Sequence, residues 1–150
     1  MEQNSDSYSF SRSQAWNNYG ALLSGCPNGY VLVVSTHELT TESKVALRKS
    51  FAALGYGSDS CTYFVATSET MTNDELLAVV EALDPGVLIA ADQLSADFLS
   101  LTYRRPFPCM TETRIFGRRA LAFDSFDALM DSDSGHQKIW AALKMLPRIP

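Results

Sequence analysis

No apolar run in this chain approaches the roughly 20 residues needed to cross a bilayer. The opening stretch, Met1 to Ser13, is polar and holds no apolar core of the kind a secretory signal carries. A cytoplasmic protein that makes no membrane contact is the expectation. Cysteine is scarce: Cys26, Cys61 and Cys109 are widely spaced and odd in number. Without a CxxC or Cys/His ligand pattern, neither a metal site nor a disulfide framework is expected, and reduced thiols are the plain reading. Glycine-rich phosphate loops are also missing. Neither GxGxxG nor GxxxxGK[ST] occurs, so no nucleotide cofactor is expected, and no other cofactor is implied. No GxSxG elbow accompanies any serine.

Positive charge is in the minority. The formal net charge is −5, which gives no global attraction to nucleic acid. Its distribution is uneven, however. Five of the twelve basic residues, Arg104, Arg105, Arg114, Arg118 and Arg119, fall in one stretch that only Glu112 opposes. They are the candidate phosphate contacts, and Tyr103, Phe107 and Phe116 among them could stack on bases. An exposed loop and hairpin, partly salt-bridged, is the simpler reading.

What is present describes a globular chain. Its 150 residues are 46% hydrophobic and 19% charged, enough to bury a core unaided. Residues 1–10 read as a disordered tail and 11–150 as one α/β domain. A helix is expected from about Ser11 to Leu23, ended by Gly25, Pro27 and Gly29. Three continuous apolar runs, Tyr30 to Ser35, Cys61 to Ala66 and Gly86 to Ala91, read as strands buried on both faces. Helices follow each. Thr41 to Leu54 carries Leu47, Phe51 and Leu54 on one stripe. Thr72 and Glu75 form a capping box ahead of Leu76, Val80 and Leu83. Asp92 caps a helix expected to turn Leu94, Phe98 and Leu101 inward. Arg114 to Phe116 and Ala120 to Phe123 flank Gly117 as a hairpin. A short helix spans Ser125 to Met130, and a last one, Ser134 to Leu146, presents Ile139, Trp140, Leu143 and Leu146. Repeated strand–helix units imply right-handed crossovers, a mostly parallel central sheet and three helix–sheet–helix layers.

Ligands in such sheets sit beyond the carboxyl ends of the strands. There lie Ser35-Thr-His-Glu38, Thr67 to Thr70, Asp92-Gln93 and Asp124 to Asp127. His37 with Glu38 is the best acid–base pair available, because an imidazole shuttles protons near neutral pH and a carboxylate activates water. A polar surface loop is the simpler account of the same residues. His136 reads as a solvated surface residue, and Cys109 as a structural thiol.

Several segments resemble the uracil-DNA glycosylase superfamily. Leu83-Asp-Pro-Gly-Val-Leu-Ile-Ala-Ala-Asp-Gln-Leu-Ser-Ala-Asp-Phe-Leu99 looks like its strand followed by a small-residue helix. Asp127 to Trp140 looks like its closing stretch, a leucine pair and then a helix bearing Trp. The resemblance implies a glycosylase-like fold, but its chemistry is absent. Ser35-Thr-His-Glu38 stands where the water-activating glycine motif belongs, and Ser125-Phe126-Asp127 stands where a His-Pro-Ser motif belongs. Excision without either would lose most of its rate. A non-catalytic relative, the psi subunit of the bacterial DNA polymerase III clamp loader, is similar in pattern over Tyr30 to Ala66 and Phe126 to Leu143. It implies an interaction module in DNA replication or repair, tethered to a protein partner by an N-terminal segment. Phe10, Trp16 and Tyr19 are then the partner contacts, and deletion of Met1 to Ser24 should leave the remainder folded. The alternatives are a divergent glycosylase acting on a damaged or uracil base, and a flavodoxin-like domain binding a small molecule.

Overall fold

Val31–Ser35 (β2) is buried at every position, as a strand covered on both faces must be. Among the described residues it is one of the two central strands of a six-stranded sheet. The computed structural model describes residues 11–149. The tail expected over 1–10, and Phe10 with it, lie outside the described residues.

Cys61–Val65 (β3), Val87–Ala90 (β4) and Arg118–Ala122 (β6) join β2 in a parallel core. Two antiparallel strands, Leu23–Gly25 (β1) and Thr113–Ile115 (β5), form the edges, giving the order β1-β3-β2-β4-β6-β5. The expected α/β class with a mostly parallel sheet is therefore observed, and the helices cover both faces. On one face pack Arg12–Tyr19 (α1), Asn73–Leu83 (α3) and Gln93–Tyr103 (α4), against Leu32, Val34, Phe64 and Leu88. On the other pack Thr41–Ala53 (α2), the short Phe126–Leu129 (α5) and Asp133–Leu143 (α6), against Val31, Val33, Ile89 and Leu121. Alternate residues of one strand thus serve opposite cores, which is the period-2 geometry of the extended chain.

Local chemistry accounts for the boundaries. Thr72 Oγ1 accepts from Glu75 N at 3.1 Å, and Glu75 Oε1 accepts from Thr72 N at 2.9 Å, closing the expected capping box. Asp84 ends α3 in the left-handed region (φ 49), and Pro85 follows. The β5–β6 hairpin turns on Phe116 and Gly117, both at positive φ (50 and 82), as a two-residue turn matched to strand twist requires.

Three expectations are corrected. The first helix stops at Tyr19. A 3-10 turn over Gly20–Leu22 leads into β1, where Leu23 pairs with Phe64 and exchanges helix for sheet. Strand β6 begins at Arg118, two residues earlier than the apolar run suggests, because Arg118 and Arg119 pair with Ile115 and Arg114. The inward face of α4 is also rotated. Ala96, Leu99 and Tyr103 are buried along with Phe98, while Leu94 is 67% and Leu101 70% exposed. Small Ser95 and Ala96 let α4 approach the sheet closely, which turns the two leucines outward.

Candidate functional site

From β2 the chain runs through α2 to β3 on one side, then through α3 back across β2 to β4 on the other. The reversal creates a switch point between the carboxyl ends of β2 and β4, the usual ligand crevice of an open α/β sheet. Thr36, His37, Asp92 and Asp127 meet there.

Asp92 occupies the centre. Its Oδ1 accepts from Ser95 N at 2.8 Å, capping α4. Its Oδ2 accepts from Thr36 N at 2.9 Å and Thr36 Oγ1 at 3.0 Å, tying the end of β2 to the start of α4. Ser95 is fully buried, and its hydroxyl donates to Val34 O at 3.1 Å, a second tie between the same elements. Beside them His37 Nε2 lies 3.1 Å from Asp127 Oδ2, while His37 Nδ1 is 3.8 Å from Asp92 Oδ2. Asp127 Oδ1 in turn accepts from the buried Ser43 hydroxyl and, at 3.3 Å each, from Thr40 N and Thr40 Oγ1. Burial works to raise the Asp127 pKa, but the hydrogen bonds from Ser43, His37 and Thr40 N outweigh it and hold the carboxyl below the usual carboxylate range.

The crevice is therefore laced by its own side chains. Asp92 is spent on the α4 cap and on Thr36, and Asp127 on Ser43, Thr40 and the His37 ring. Glu38, the proposed partner of His37, turns away and is 3.3 Å from Lys44 on α2, with its side chain 78% exposed. The two neighbours in sequence do not converge. A lowered folded-state pKa stabilises the fold at pH values above the unfolded value near ~3.9, and the contribution fades as pH falls through the folded value. Asp127→Ala is expected to lower stability by about 2 kcal/mol at neutral pH, because the Ser43 hydroxyl and Thr40 amide lose their acceptor. The deficit should shrink in urea titrations repeated at pH values below about 4.

The arginine group divides in two. Arg118, 7% exposed, donates to Pro85 O at 2.9 Å, to both Glu81 oxygens at 2.6 and 3.2 Å, and to Asp84 at 3.0 Å. Arg119 is paired with Glu112. Arg118 holds the hairpin to the end of α3 and Arg119 ties β6 to the segment before β5, whereas Arg104, Arg105 and Arg114 remain exposed. Of the aromatics between them, Tyr103 and Phe107 are buried, and only Phe116 faces solvent, edge-on to Tyr103.

No family model matches this chain. A search of curated proteins likewise returns no match. The site must be read on its own chemistry.

Trp16 and Tyr19 are used within the fold. Trp16 Nε1 donates to Pro27 O at 3.2 Å, and Tyr19 donates to Glu75 at 2.9 Å with its ring edge-on to Phe64. His136 Nε2 is 2.8 Å from Met130 O. The Cys109 thiol donates to Gln93 Oε1 at 3.1 Å and is pushed up to about 12 by burial and by Asp124 and Asp97, so it is protonated near neutral pH. Among the described residues no group of three His, Cys, Asp or Glu side chains is arranged to hold a metal, and no helix is long and apolar enough to cross a membrane.

Beside the laced crevice runs a groove of about 440 Å³ between α4 and the β3–α3 connection. Leu94, Phe98 and Leu101 form its apolar side, and Glu69 and Asp97 line it with no Lys or Arg. Hydropathy placed these leucines in the core. The only sequence signal to the contrary is the small-residue pair Ser95-Ala96 beside them.

Proposed function

We propose that this chain is a non-catalytic α/β interaction module that binds a protein partner in DNA replication or repair, the setting that its glycosylase-like and psi-like resemblance implies. One observation carries the reading: the switch-point carboxylates are both engaged within the fold, Asp92 by the Ser95 amide and by Thr36, and Asp127 by Thr40 and Ser43 on one oxygen and the His37 imidazole on the other. A general base must take a proton from water or substrate; Asp92 is occupied on both oxygens, and the lowered pKa of Asp127 makes it a poor acceptor. The groove on α4 supplies the alternative. Two outward leucines about two helical turns apart, flanked by carboxylates, suit a helical segment bearing apolar side chains and Lys or Arg.

The test uses the full chain and the clamp-loader complex of its own organism in size-exclusion chromatography. Co-elution is expected, and the exposed double substitution Leu94→Glu, Leu101→Glu should abolish it while leaving the unfolding midpoint unchanged. Separate elution of the wild-type chain would overturn the clamp-loader role. In parallel, oligonucleotides containing uracil or hypoxanthine should remain intact. Base excision that is lost in Glu38→Gln or His37→Ala would establish the divergent glycosylase instead.

A further inference from the structure

Cys26 and Cys61 are widely spaced in sequence, yet the fold sets them side by side. The β1–β3 register pairs Ser24 with Tyr63 and Gly25 with Thr62, and it continues to Cys26 opposite Cys61, where Cys26 N donates to Cys61 O at 2.9 Å. Residues directly opposite in an antiparallel pair have Cα atoms about 4.5–5.5 Å apart, inside the span a disulfide bridges. Gly25 permits the approach: it sits at φ +86, and a Cβ there would lie 2.6 Å from Cys61 O. Both cysteines line one open pocket of about 440 Å³, together with Lys44, Arg48 and Tyr63. The two thiols are close enough for Cys26 to disfavour ionisation of Cys61. Lys44 is shared with Glu38 and the Tyr63 ring, whereas Arg48 makes no salt bridge among the described residues.

We propose that Cys26 and Cys61 form a thiol–disulfide exchange site for a low-molecular-weight disulfide that carries carboxylates. Cys26 is the attacking group. It is half-buried at the pocket, whereas Cys61 is buried and its thiol is pushed up to about 11, chiefly by burial. The Cys26 thiolate attacks one sulfur of the reagent, forming a mixed disulfide and expelling one reagent thiolate. The Cys61 thiolate then attacks the Cys26 sulfur, forming the Cys26–Cys61 bond and expelling the second. The two cysteines lose two electrons and two protons, and the reagent disulfide gains both to become two thiols. Lys44 and Arg48 outnumber Asp59, which lines the same pocket, and supply the attraction for the carboxylates.

Incubation of the full chain with oxidised glutathione, followed by peptide mapping without reductant, tests this. A linked Cys26–Cys61 peptide is expected, reversed by dithiothreitol. Cys61→Ala should stop at a glutathionyl group on Cys26, and Cys26→Ser should leave Cys61 unmodified. Arg48→Glu should slow the reaction several-fold with glutathione disulfide but not with cystamine, a cationic disulfide. Modification confined to Cys109, or the absence of the linked peptide in the wild-type chain, would overturn the site. Equal slowing with both reagents would overturn the anion selectivity.

Discussion

Deletion of residues 1–24 is expected to cost the fold most of its stability. The segment contributes α1 and most of β1, and these are part of the sheet and its cover. Ala15 is fully buried and Leu23 nearly so, while Trp16, Tyr19 and Leu22 pack on the same core. Arg12 donates to Leu83 O at 2.9 Å at the end of α3. Removing these side chains returns Phe64 and the face of α3 to water and opens the β3 edge. With about 1.5–3 kcal/mol for each large apolar side chain removed, the loss is about 5 kcal/mol or more. Domain stabilities are typically about 5–15 kcal/mol, so the truncated chain should aggregate or lose its cooperative urea transition. A truncated chain with an unchanged midpoint would restore the separable tether expected from the psi resemblance. The intact-domain alternative, Trp16→Ala with Tyr19→Phe, should destabilise in proportion to the packing removed.

The second large effect concerns Asp92. Asp92→Ala removes the cap of α4, about 1 kcal/mol, and leaves the Thr36 amide without its acceptor, a further ~1–3 kcal/mol. A total near 3 kcal/mol is expected from the shift in urea midpoint. Asp92→Asn should recover the cap but only part of the Thr36 contact, because an amide NH₂ meets that donor. The sign matters more than the size. Groups kept for chemistry are often held against stability, so their removal strengthens a fold. If Asp92→Ala or Asp127→Ala raised the midpoint, the lacing would be an active site at rest and the non-catalytic reading would fall.

The sequence carried different parts of this structure unequally. Strands β2, β3 and β4 are legible because each is an unbroken β-branched or apolar run between turn residues, and a strand buried twice has no other composition. Caps at Thr72 and Asp92 are legible because an N-cap is settled within four residues. Strand β1 is not, since Leu-Ser-Gly has no strand character until Phe64 lies beside it. Nor is the crevice. His37 meets Asp127 across 90 residues only because β2, β4 and β6 lie side by side, and strand order has no local signature. Arg118 has the same history: its partners Glu81 and Asp84 lie on another element, so a cluster of five arginines on paper becomes two structural ties and three exposed cations. Leu94 and Leu101 misled because hydropathy reports the preference of a side chain and not the distance at which a helix settles.

The outermost strands, β1 and β5, are three residues each. A visiting strand could register with at most one or two amides before meeting the Gly25 bend or the Phe116–Gly117 turn. Growth of the sheet by another chain is thereby blunted at both ends. Among the described residues, the helical flanks are therefore the broader surfaces for recognition, and self-propagating ladders find only short edges to start from.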